Sequence, residues 1–299
     1  MRAVKALVRL GGTARAQQLR LAGVHWRHVH AALESGLVAR TSCGHYCLAG
    51  TEAARAAAHR LSGAASHTTA TLHWGWKVRM PADEPHVTVR AKRSLPAGAS
   101  DGVVLHWRDL DADDVSDGWV TTPVRTVIDC CLDLPYADAL SVADAARRAG
   151  LRSPTVLARS AWLPPRQRDR VKRVLEASDP RAANPFESSL RAIALGVRGL
   201  AVEPQVRIRY DGFFARVDLA DDDLRIVLEA DSHEFHTGRT QLTSDCWRYD
   251  ELVLDGWDVY RFTYEQVMFQ AAWVRSVLVR AERRARATQE LRARAGSCA

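Results

Sequence analysis

Three features that the sequence lacks narrow the classes of protein to which this chain can belong. No apolar run approaches the roughly 20 residues that a membrane-spanning helix needs. The N-terminus has neither the apolar core nor the cleavage site of a signal peptide. The six cysteines show no spacing typical of a disulfide framework. We therefore expect a protein of the reducing cytoplasm that binds no membrane.

Lysine is scarce, although the chain is basic. The 299 residues carry a formal net charge of +7, and the only lysines are Lys5, Lys77, Lys92 and Lys172. The positive charge therefore lies almost wholly on arginine, whose planar fork matches phosphate oxygens and guanine edges. This balance favours DNA or another nucleic acid as the partner. A GC-rich genome alone would also enrich arginine and alanine.

The length and the apolar content indicate a globular protein with more than one core. Apolar residues make up 47% of the chain, and a chain of this length usually forms two or three domains. We predict a mixed α+β protein in three parts. A winged helix-turn-helix is expected over 1–50, a central α+β region over 51–180, and an α/β core over 181–299.

The first fifty residues predict three short helices followed by a hairpin. The helices are expected at 3–10, 14–22 and 25–35, with Thr13 as the cap of the second, and the hairpin turns at Gly44. A winged helix-turn-helix has this order, and its third helix enters the major groove of duplex DNA. The polar face of that helix offers four residues for DNA contact: Trp26, Arg27, His28 and His30. A small module for protein contact, with those side chains in solvent, is the alternative.

The sequence of the central region shows no catalytic grouping. Its histidines are scattered, and each is expected to be a capping or core residue: His67, His73, His86 and His106. The acidic stretch 109–117 is expected to be a solvated loop. A zinc site at the Cys43-Gly44-His45-Tyr46-Cys47 motif is not expected, because no second pair of ligands follows at a distance.

Acidic residues in the last third of the chain form its most informative pattern. Asp218 follows the start of a strand predicted at 214–220, and Glu229 and Asp231 close the apolar run that begins at Leu224. Carboxylates at the ends of neighbouring strands can hold a divalent metal, because Mg²⁺ prefers oxygen ligands. The alternative is a set of strand-end acids that only solvate the edge of a sheet.

Five short motifs of the last third occur together in an order typical of one nuclease family. They are Phe186-Glu187-Ser188 with Leu190-Arg191, Gln205, Arg216-Val217-Asp218-Leu219-Ala220, Leu228-Glu229-Ala230-Asp231 followed by His233 and His236, and Asp245 with Arg248 before 256–263. With them, residues 184–274 resemble a Vsr-like (very-short-patch-repair-like) endonuclease domain of the PD-(D/E)xK superfamily. The resemblance implies a restriction-endonuclease-like core and a Mg²⁺ or Mn²⁺ site formed by Glu187, Asp218 and Glu229. Asp231 stands where the superfamily usually has Lys.

The segments before residue 180 resemble AbiEi-type antitoxins. The matching motifs of the first fifty residues are Gly11-Gly12 with 13–17, Ala22-Gly23-Val24, Gly36-Leu37-Val38 and Gly44-His45-Tyr46. In the central region, His86-Val87-Thr88-Val89 and 122–129 carry the resemblance. It implies DNA binding and a cognate toxin or antitoxin as a further partner.

Two functions are therefore expected from the sequence. The first is a metal-dependent endonuclease that hydrolyses DNA phosphodiester bonds and is targeted by its winged helix. In it, His236 would transfer protons with support from Asp231, while Gln205 and Arg248 would contact the nucleic acid. The alternative is an antitoxin-like transcriptional regulator whose nuclease fold is inactive. A nuclease toxin partnered by another protein is a third hypothesis.

Overall fold

The computed structural model describes residues 2–10, 13–42, 45–231 and 239–296. The chain divides into two compact units, Met1–Pro180 and Arg181–Ala299. The predicted mixed α+β class is confirmed, since the protein is 51% helical and 19% strand, with several sheets. Among the described residues, no helix is both long and apolar enough to cross a membrane.

The first unit begins with three short helices and a small antiparallel sheet. Its elements are α1 (Arg2–Arg9), β1 (Thr13–Arg15), α2 (Ala16–Leu21), α3 (Trp26–Glu34), β2 (Val38–Ser42) and β3 (His45–Leu48), with the strands in the order β1-β3-β2. Leu7, Leu19 and Val29 pack in a common apolar cluster between them. The prediction that Thr13 caps a helix is wrong, because Thr13 pairs with Cys47 as part of β1 and the helix begins at Ala16.

The rest of the first unit is a five-stranded sheet followed by a group of helices. Its elements are α4 (Gly50–Arg60), β4 (Ala64–Ala65), α5 (His67–His73), β5 (His86–Val89), β6 (Val104–Trp107), β7 (Val115–Ser116), β8 (Val120–Thr121), α6 (Pro123–Asp133), α7 (Tyr136–Arg148), α8 (Ser153–Arg159) and α9 (Pro165–Ala177). The strands lie in the order β6-β5-β4-β8-β7. Thr122 caps α6, with Pro123 in its first turn. Ile128, Val142 and Val171 lie in the core that joins α6, α7 and α9.

The acidic stretch 109–117 is not wholly solvated, contrary to expectation. The side chain of Asp114 is 4% exposed and lies 3.0 Å from both Arg125 Nη1 and Arg159 Nη2. Arg125 is buried in turn, and its Nε donates to Asp129 at 3.0 Å. Because a buried charge is tolerated only with a partner, Asp114 belongs to the ion network of the core.

The second unit is a four-stranded sheet with helices on both faces. Its elements are α10 (Pro185–Leu195), β9 (Glu203–Tyr210), β10 (Phe213–Asp221), β11 (Ile226–Asp231), α11 (Arg239–Leu254), β12 (Asp258–Thr263), α12 (Tyr264–Phe269) and α13 (Ala271–Gly296). The order is β12-β11-β10-β9, antiparallel except for the parallel pair β11 and β12. The last two helices, α12 and α13, are separated at Gln270.

The inner strand β11 shows how this sheet is covered. Ile226 and Leu228 pack in the cluster that contains residues of α10, α12 and α13, whereas Val227 packs in the cluster that contains Leu252 of α11. Successive residues of a strand point to opposite faces, so an apolar run is required where both faces are buried. The two residues that end β11 on the Val227 side, Glu229 and Asp231, are the acidic ones.

Candidate metal centre

Glu187 is held by the start of helix α10. Asn184, the only asparagine of the chain, caps the helix by accepting hydrogen bonds from the backbone N–H groups of Phe186 and Glu187 at 2.9 and 3.0 Å. Its Nδ2 donates to Glu187 Oε1 at 2.7 Å, and the Ala183 N–H donates to Oε2 at 2.9 Å. The residue is only 4% exposed. The carboxyl group therefore has a fixed position near the N-terminal end of the helix.

Gln205 connects Glu187 to Asp218. Its Nε2 donates to Glu187 Oε2 at 2.9 Å and lies 3.4 Å from Asp218 Oδ1. The backbone of Gln205 has a φ of +56°, a left-handed conformation that is uncommon for a residue with a side chain. Such conformations persist where surrounding contacts determine them, and they occur often at functional sites.

The side chains of strand β10 switch from one face of the sheet to the other at Asp218. Ala215 and Val217 pack in the cluster on the α11 face, but Leu219 packs in the cluster on the opposite face. A regular strand would send 215, 217 and 219 to the same side. Asp218 lies within the strand, three residues before its end at Asp221, and not at the strand end that the sequence predicted. The irregularity directs its side chain toward β11.

Asp218 and Glu229 lie against each other on β10 and β11. Asp218 Oδ2 accepts a hydrogen bond from the Ala230 N–H at 2.9 Å, and the Asp218 N–H donates to Glu229 Oε2 at 3.4 Å. Burial, and next the negative charge of Asp218, raise the pKa of Glu229 to about 8. Glu229 Oε1 is buried and accepts no hydrogen bond among the described residues. The pair therefore has an acceptor atom that no hydrogen bond of the described residues satisfies.

Two arginines contact the ring of Tyr249 near the acids. The guanidinium carbons of Arg248 and Arg261 lie 4.7 and 4.5 Å from the centroid of the Tyr249 ring. Arg248 Nη1 is 3.3 Å from Glu229 Oε1, and its Nη2 donates to the Tyr249 hydroxyl at 2.7 Å. Arg261 forms an ion pair with Asp231. The positive charges near the acids are thus fixed by stacking and by ion pairs.

The structure brings most of the predicted acids together, in a chain rather than a closed ring. Glu187 is joined to Asp218 by Gln205, and Asp218 is joined to Glu229 by backbone hydrogen bonds. Gln205 and Arg248, predicted to contact nucleic acid, are part of this acid cluster. His233 and His236 lie outside the described residues.

The four residues predicted for DNA contact all lie on α3 in the first unit. Trp26 is 65% exposed and its ring lies 6.1 Å from that of His30. Arg27 is exposed, His28 is half-buried, and His30 lies 3.5 Å from Glu34. The helix therefore presents an aromatic ring and a cation together on its exposed side.

The central histidines are not scattered, and this expectation is wrong for three of the four. One nitrogen from each of His67, His86 and His106 lies within 4.8 Å of the others. His86 and His106 come from the paired strands β5 and β6, and the His67 ring stacks on that of His106 with 3.6 Å between centroids. His73 stands apart, with its ring edge-on to Trp74 and Trp119.

A strand register could have revealed this cluster in the sequence. In the parallel pair, His106 lies opposite Thr88 and His86 lies two residues before Thr88, so both histidines face the same side of the sheet. The sequence shows alternating residues in His86-Val87-Thr88 and Leu105-His106-Trp107, but it does not show the register in which these two strands pair. Position 67, which starts the adjacent helix, has no periodic signal at all.

Asp133, at the end of α6, anchors this histidine cluster. Asp133 Oδ2 is 2.8 Å from His67 Nε2 and 3.6 Å from His106 Nδ1, and Arg108 binds both oxygens at 3.0 and 3.1 Å. Burial opposes the negative charge of Asp133, yet the hydrogen bonds from His67 and Arg108 hold its pKa well below the usual range. Burial, and next the charge of His67, lower the pKa of His86 to about 4 and that of His106 to about 3. Those two rings are therefore neutral near pH 7.

Comparisons with known proteins give only distant similarities. No family model matches the chain. It is 28% identical over 172 residues to Uncharacterized protein Rv2248 of Mycobacterium tuberculosis strain H37Rv and to Uncharacterized protein MT2308 of strain CDC 1551. The match covers 56% of this chain and 63% of each curated relative. Among solved structures, the RV2827C protein of M. tuberculosis aligns with 64% of this chain and 79% of its own, at 13% identity and a TM-score of 0.34.

Proposed function

We propose that the chain is a divalent-metal-dependent endonuclease that hydrolyses phosphodiester bonds of DNA, with a restriction-endonuclease-like core of the Vsr-like kind in its second unit. One observation carries the proposal. The carboxyl groups of the half-buried Asp218 and the buried Glu229 lie against each other on adjacent strands, and Glu229 Oε1 accepts no hydrogen bond among the described residues. Two carboxylates so close, with one of them shielded from water, favour binding of a cation.

The donor atoms suit Mg²⁺ or Mn²⁺, which prefer carboxylate oxygen. Asp218 and Glu229 would be direct ligands, and Glu187 would act through a water molecule. Such an ion would polarise the phosphate and lower the pKa of its bound water.

The neighbouring side chains have separate tasks in this proposal. Gln205 fixes Glu187 and Asp218 relative to each other by donating to both. Arg248 and Arg261, which both contact the Tyr249 ring, would supply positive charge toward a phosphate group. His236 would move a proton to or from the reacting oxygen, because imidazole titrates near neutral pH. Asp231, paired with Arg261, would support it.

The first unit would bring the enzyme to DNA as a winged helix-turn-helix. Three helices and a hairpin in the order α1, α2, α3, β2 and β3 support this proposal. α3 would enter the major groove, with the exposed Trp26 and Arg27 toward the bases and phosphates. The central region would then be the antitoxin-like part, with a cognate toxin or antitoxin as its protein partner.

One observation favours the second candidate, a DNA-binding regulator with an inactive nuclease fold. Arg248 Nη1 lies 3.3 Å from Glu229 Oε1, where it partly neutralises the acid without a metal. An arginine in this role can replace a lost ion, as buried carboxylates need only a paired positive charge. In that case the acids would hold the fold together and the chain would bind DNA without cutting it.

A cleavage assay separates the two candidates. Purified full-length protein would be incubated with supercoiled, linear and mismatched DNA and with RNA, in Mg²⁺, in Mn²⁺ and in EDTA. We expect metal-dependent DNA cleavage that Asp218→Asn abolishes. Asp222→Asn, a change of the same kind at an exposed turn residue, is the matched control. Cleavage that survives Asp218→Asn, or its absence in every metal, would contradict the endonuclease.

A further inference from the structure

The histidine cluster of the first unit has no part in the proposed nuclease chemistry, and it contains the features of a metal site. We propose that His67, His86 and His106 bind one divalent transition metal of the zinc type, and that Asp133 positions two of the rings. Neutral imidazole is a common ligand of such metals. Among the described residues, this is the group of three or more His, Cys, Asp or Glu side chains whose ligand atoms lie within 4.8 Å of one another.

The hydrogen bond to Asp133 leaves Nδ1 as the nitrogen of His67 that could bind a metal, in exchange for the hydrogen bond that Nδ1 forms with Ser66 Oγ. Thr88 Oγ1 donates to Ser66 Oγ at 2.8 Å, so the Ser66 hydroxyl proton is left to donate to His67 Nδ1, 2.8 Å away. His67 Nδ1 therefore carries a lone pair, and Nε2–H donates to Asp133. A ligating histidine whose other N–H donates to a carboxylate is a recurrent arrangement in metal sites.

The same carboxylate acts on His106. His106 Nδ1 faces Asp133 Oδ2 at 3.6 Å, which leaves His106 Nε2 to face His86 Nδ1 at 2.9 Å. The Arg108 fork keeps Asp133 ionised and in place. Asp133 thus accepts a hydrogen bond from His67 and faces Nδ1 of His106, an arrangement that favours a lone pair on the other nitrogen of each ring. His86 Nδ1, the third donor, needs only a change of tautomer.

The distances are close to those of a bound ion but require one movement. Two nitrogen ligands of a tetrahedral zinc ion lie about 3.3 Å apart, given Zn–N bonds of about 2.0–2.1 Å. The 2.9 Å between His86 Nδ1 and His106 Nε2 must therefore open slightly. The rings of His67 and His106 are stacked, so His106 must tilt to share an ion with His67. Its side chain is 17% exposed and lies at the edge of the cluster.

The backbone of His67 supports a functional role for this cluster. His67 has a φ of +50° although it is fully buried and begins a helix. A left-handed conformation at a residue with a side chain is unfavourable and persists where its placement is determined by the surroundings. The Ser66 hydroxyl, which would be expected to cap the helix, instead bonds to the His67 ring.

Metal binding by the full-length protein tests the proposal. The chelator-treated chain would be titrated with Co²⁺ and then with Zn²⁺. We expect about one Co²⁺ per chain with the intense visible absorption of four-coordinate, nitrogen-ligated cobalt, followed by its displacement by zinc. His86→Gln and His106→Gln should each weaken Zn²⁺ binding at least ten-fold, and Asp133→Asn should weaken it about 10–100-fold through loss of positioning.

His73→Gln is the matched control, because His73 contacts Trp74 and Trp119 and lies outside the cluster. Asp218→Asn should leave the zinc signal unchanged, so this test is independent of the nuclease site. Ring ¹⁵N spectra of the wild-type protein give a measurement that needs no variant, since zinc should shift the nitrogens of three histidines. Unshifted histidine nitrogens, or wild-type zinc affinity in both His86→Gln and His106→Gln, would overturn the proposal.

Discussion

Gln205 donates a hydrogen bond of 2.9 Å from Nε2 to Glu187 Oε2, and it does so from a backbone with a φ of +56°. The same nitrogen lies 3.4 Å from Asp218 Oδ1. Two acids from different elements are therefore aligned by one amide group. The left-handed backbone of Gln205 and the switch of face at Asp218 occur at the same point of the sheet. Both residues lie between the pair Val217 with Val206 and the pair Leu219 with Pro204.

Two substitutions of Gln205 separate the amide from the backbone strain. Gln205→Ala removes the amide and keeps the unfavourable φ, whereas Gln205→Gly removes both. We expect each to weaken Mn²⁺ binding about ten-fold, because loss of a partner that orients metal ligands costs about 10–100-fold. The Gly variant should be more stable than the Ala variant by about 1 kcal/mol. Calorimetric titration and urea unfolding measure the two effects, and unchanged Mn²⁺ affinity in both variants would remove Gln205 from the site.

Glu229→Gln should stabilise the metal-free protein, and more so as the pH rises. The folded-state pKa of Glu229 is raised to about 8, above its ordinary value of 4.5. The folded state therefore binds the proton more tightly, and wild-type stability falls as the pH rises from 4.5 through 8. An amide cannot ionise, so the advantage of the variant should be small at pH 5 and of the order of 2 kcal/mol at pH 8.5.

Chemical denaturation at pH 5, 7 and 8.5 measures this difference for Glu229→Gln. Glu265→Gln, at an exposed position of α12, is the control and should show no such trend. Adding Mn²⁺ should reverse the order of stabilities at pH 8.5, since only the wild-type carboxylate binds the ion. A pH-independent difference would mean that Glu229 is ionised at all three pH values, as a permanent pair with Arg248.

The strands of the second unit were predictable because their side chains alternate or are wholly apolar. The run at 224–228 required a strand buried on both faces, and β11 lies inside the sheet. The direction of the Asp218 side chain was not predictable. It depends on an irregularity of the neighbouring strand, where Gln205 has a left-handed backbone. Pro204, directly before Gln205, is a local signal of an irregular strand, but it does not show which way the opposite side chain points. The local sequence pattern therefore predicts the strands, whereas the direction of the Asp218 side chain depends on tertiary packing.

The histidine cluster shows the same limit more clearly. His67, His86 and His106 lie far apart in the sequence, and three elements bring them together. In the sequence each is an isolated residue. Predicting that they meet requires the pairing of β5 with β6. Asp133 was the least visible member, because it occupies the last position of helix α6, where an acid is not favoured by the helix dipole.

Arg27→Ala should reduce the salt dependence of DNA binding. If α3 contacts duplex DNA, Arg27 would neutralise a phosphate, and its loss should lower the slope of log affinity against log salt by about 1. Trp26→Ala should weaken binding with the slope nearly unchanged, because the ring carries no charge. Arg166→Ala, at an exposed position of α9, is the control. Fluorescence anisotropy at several salt concentrations gives these slopes, and equal slopes for Arg27→Ala and the wild type would argue for a protein-contact role of α3.

Asp114→Asn should destabilise the first unit strongly, and its neighbour Asp113 provides the control. Asp114 bridges Arg125 and Arg159, and both Asp114 and Arg125 are almost fully buried. Removing one partner of a buried ion pair typically costs about 3–5 kcal/mol, because the remaining charge is left without compensation. Asp113 is exposed, so Asp113→Asn should change the free energy of unfolding by less than about 0.5 kcal/mol. Urea denaturation of both variants compares them directly. A difference below about 1 kcal/mol would mean that water or Asp129 replaces the lost carboxylate, and that the buried network holds Arg125 without Asp114.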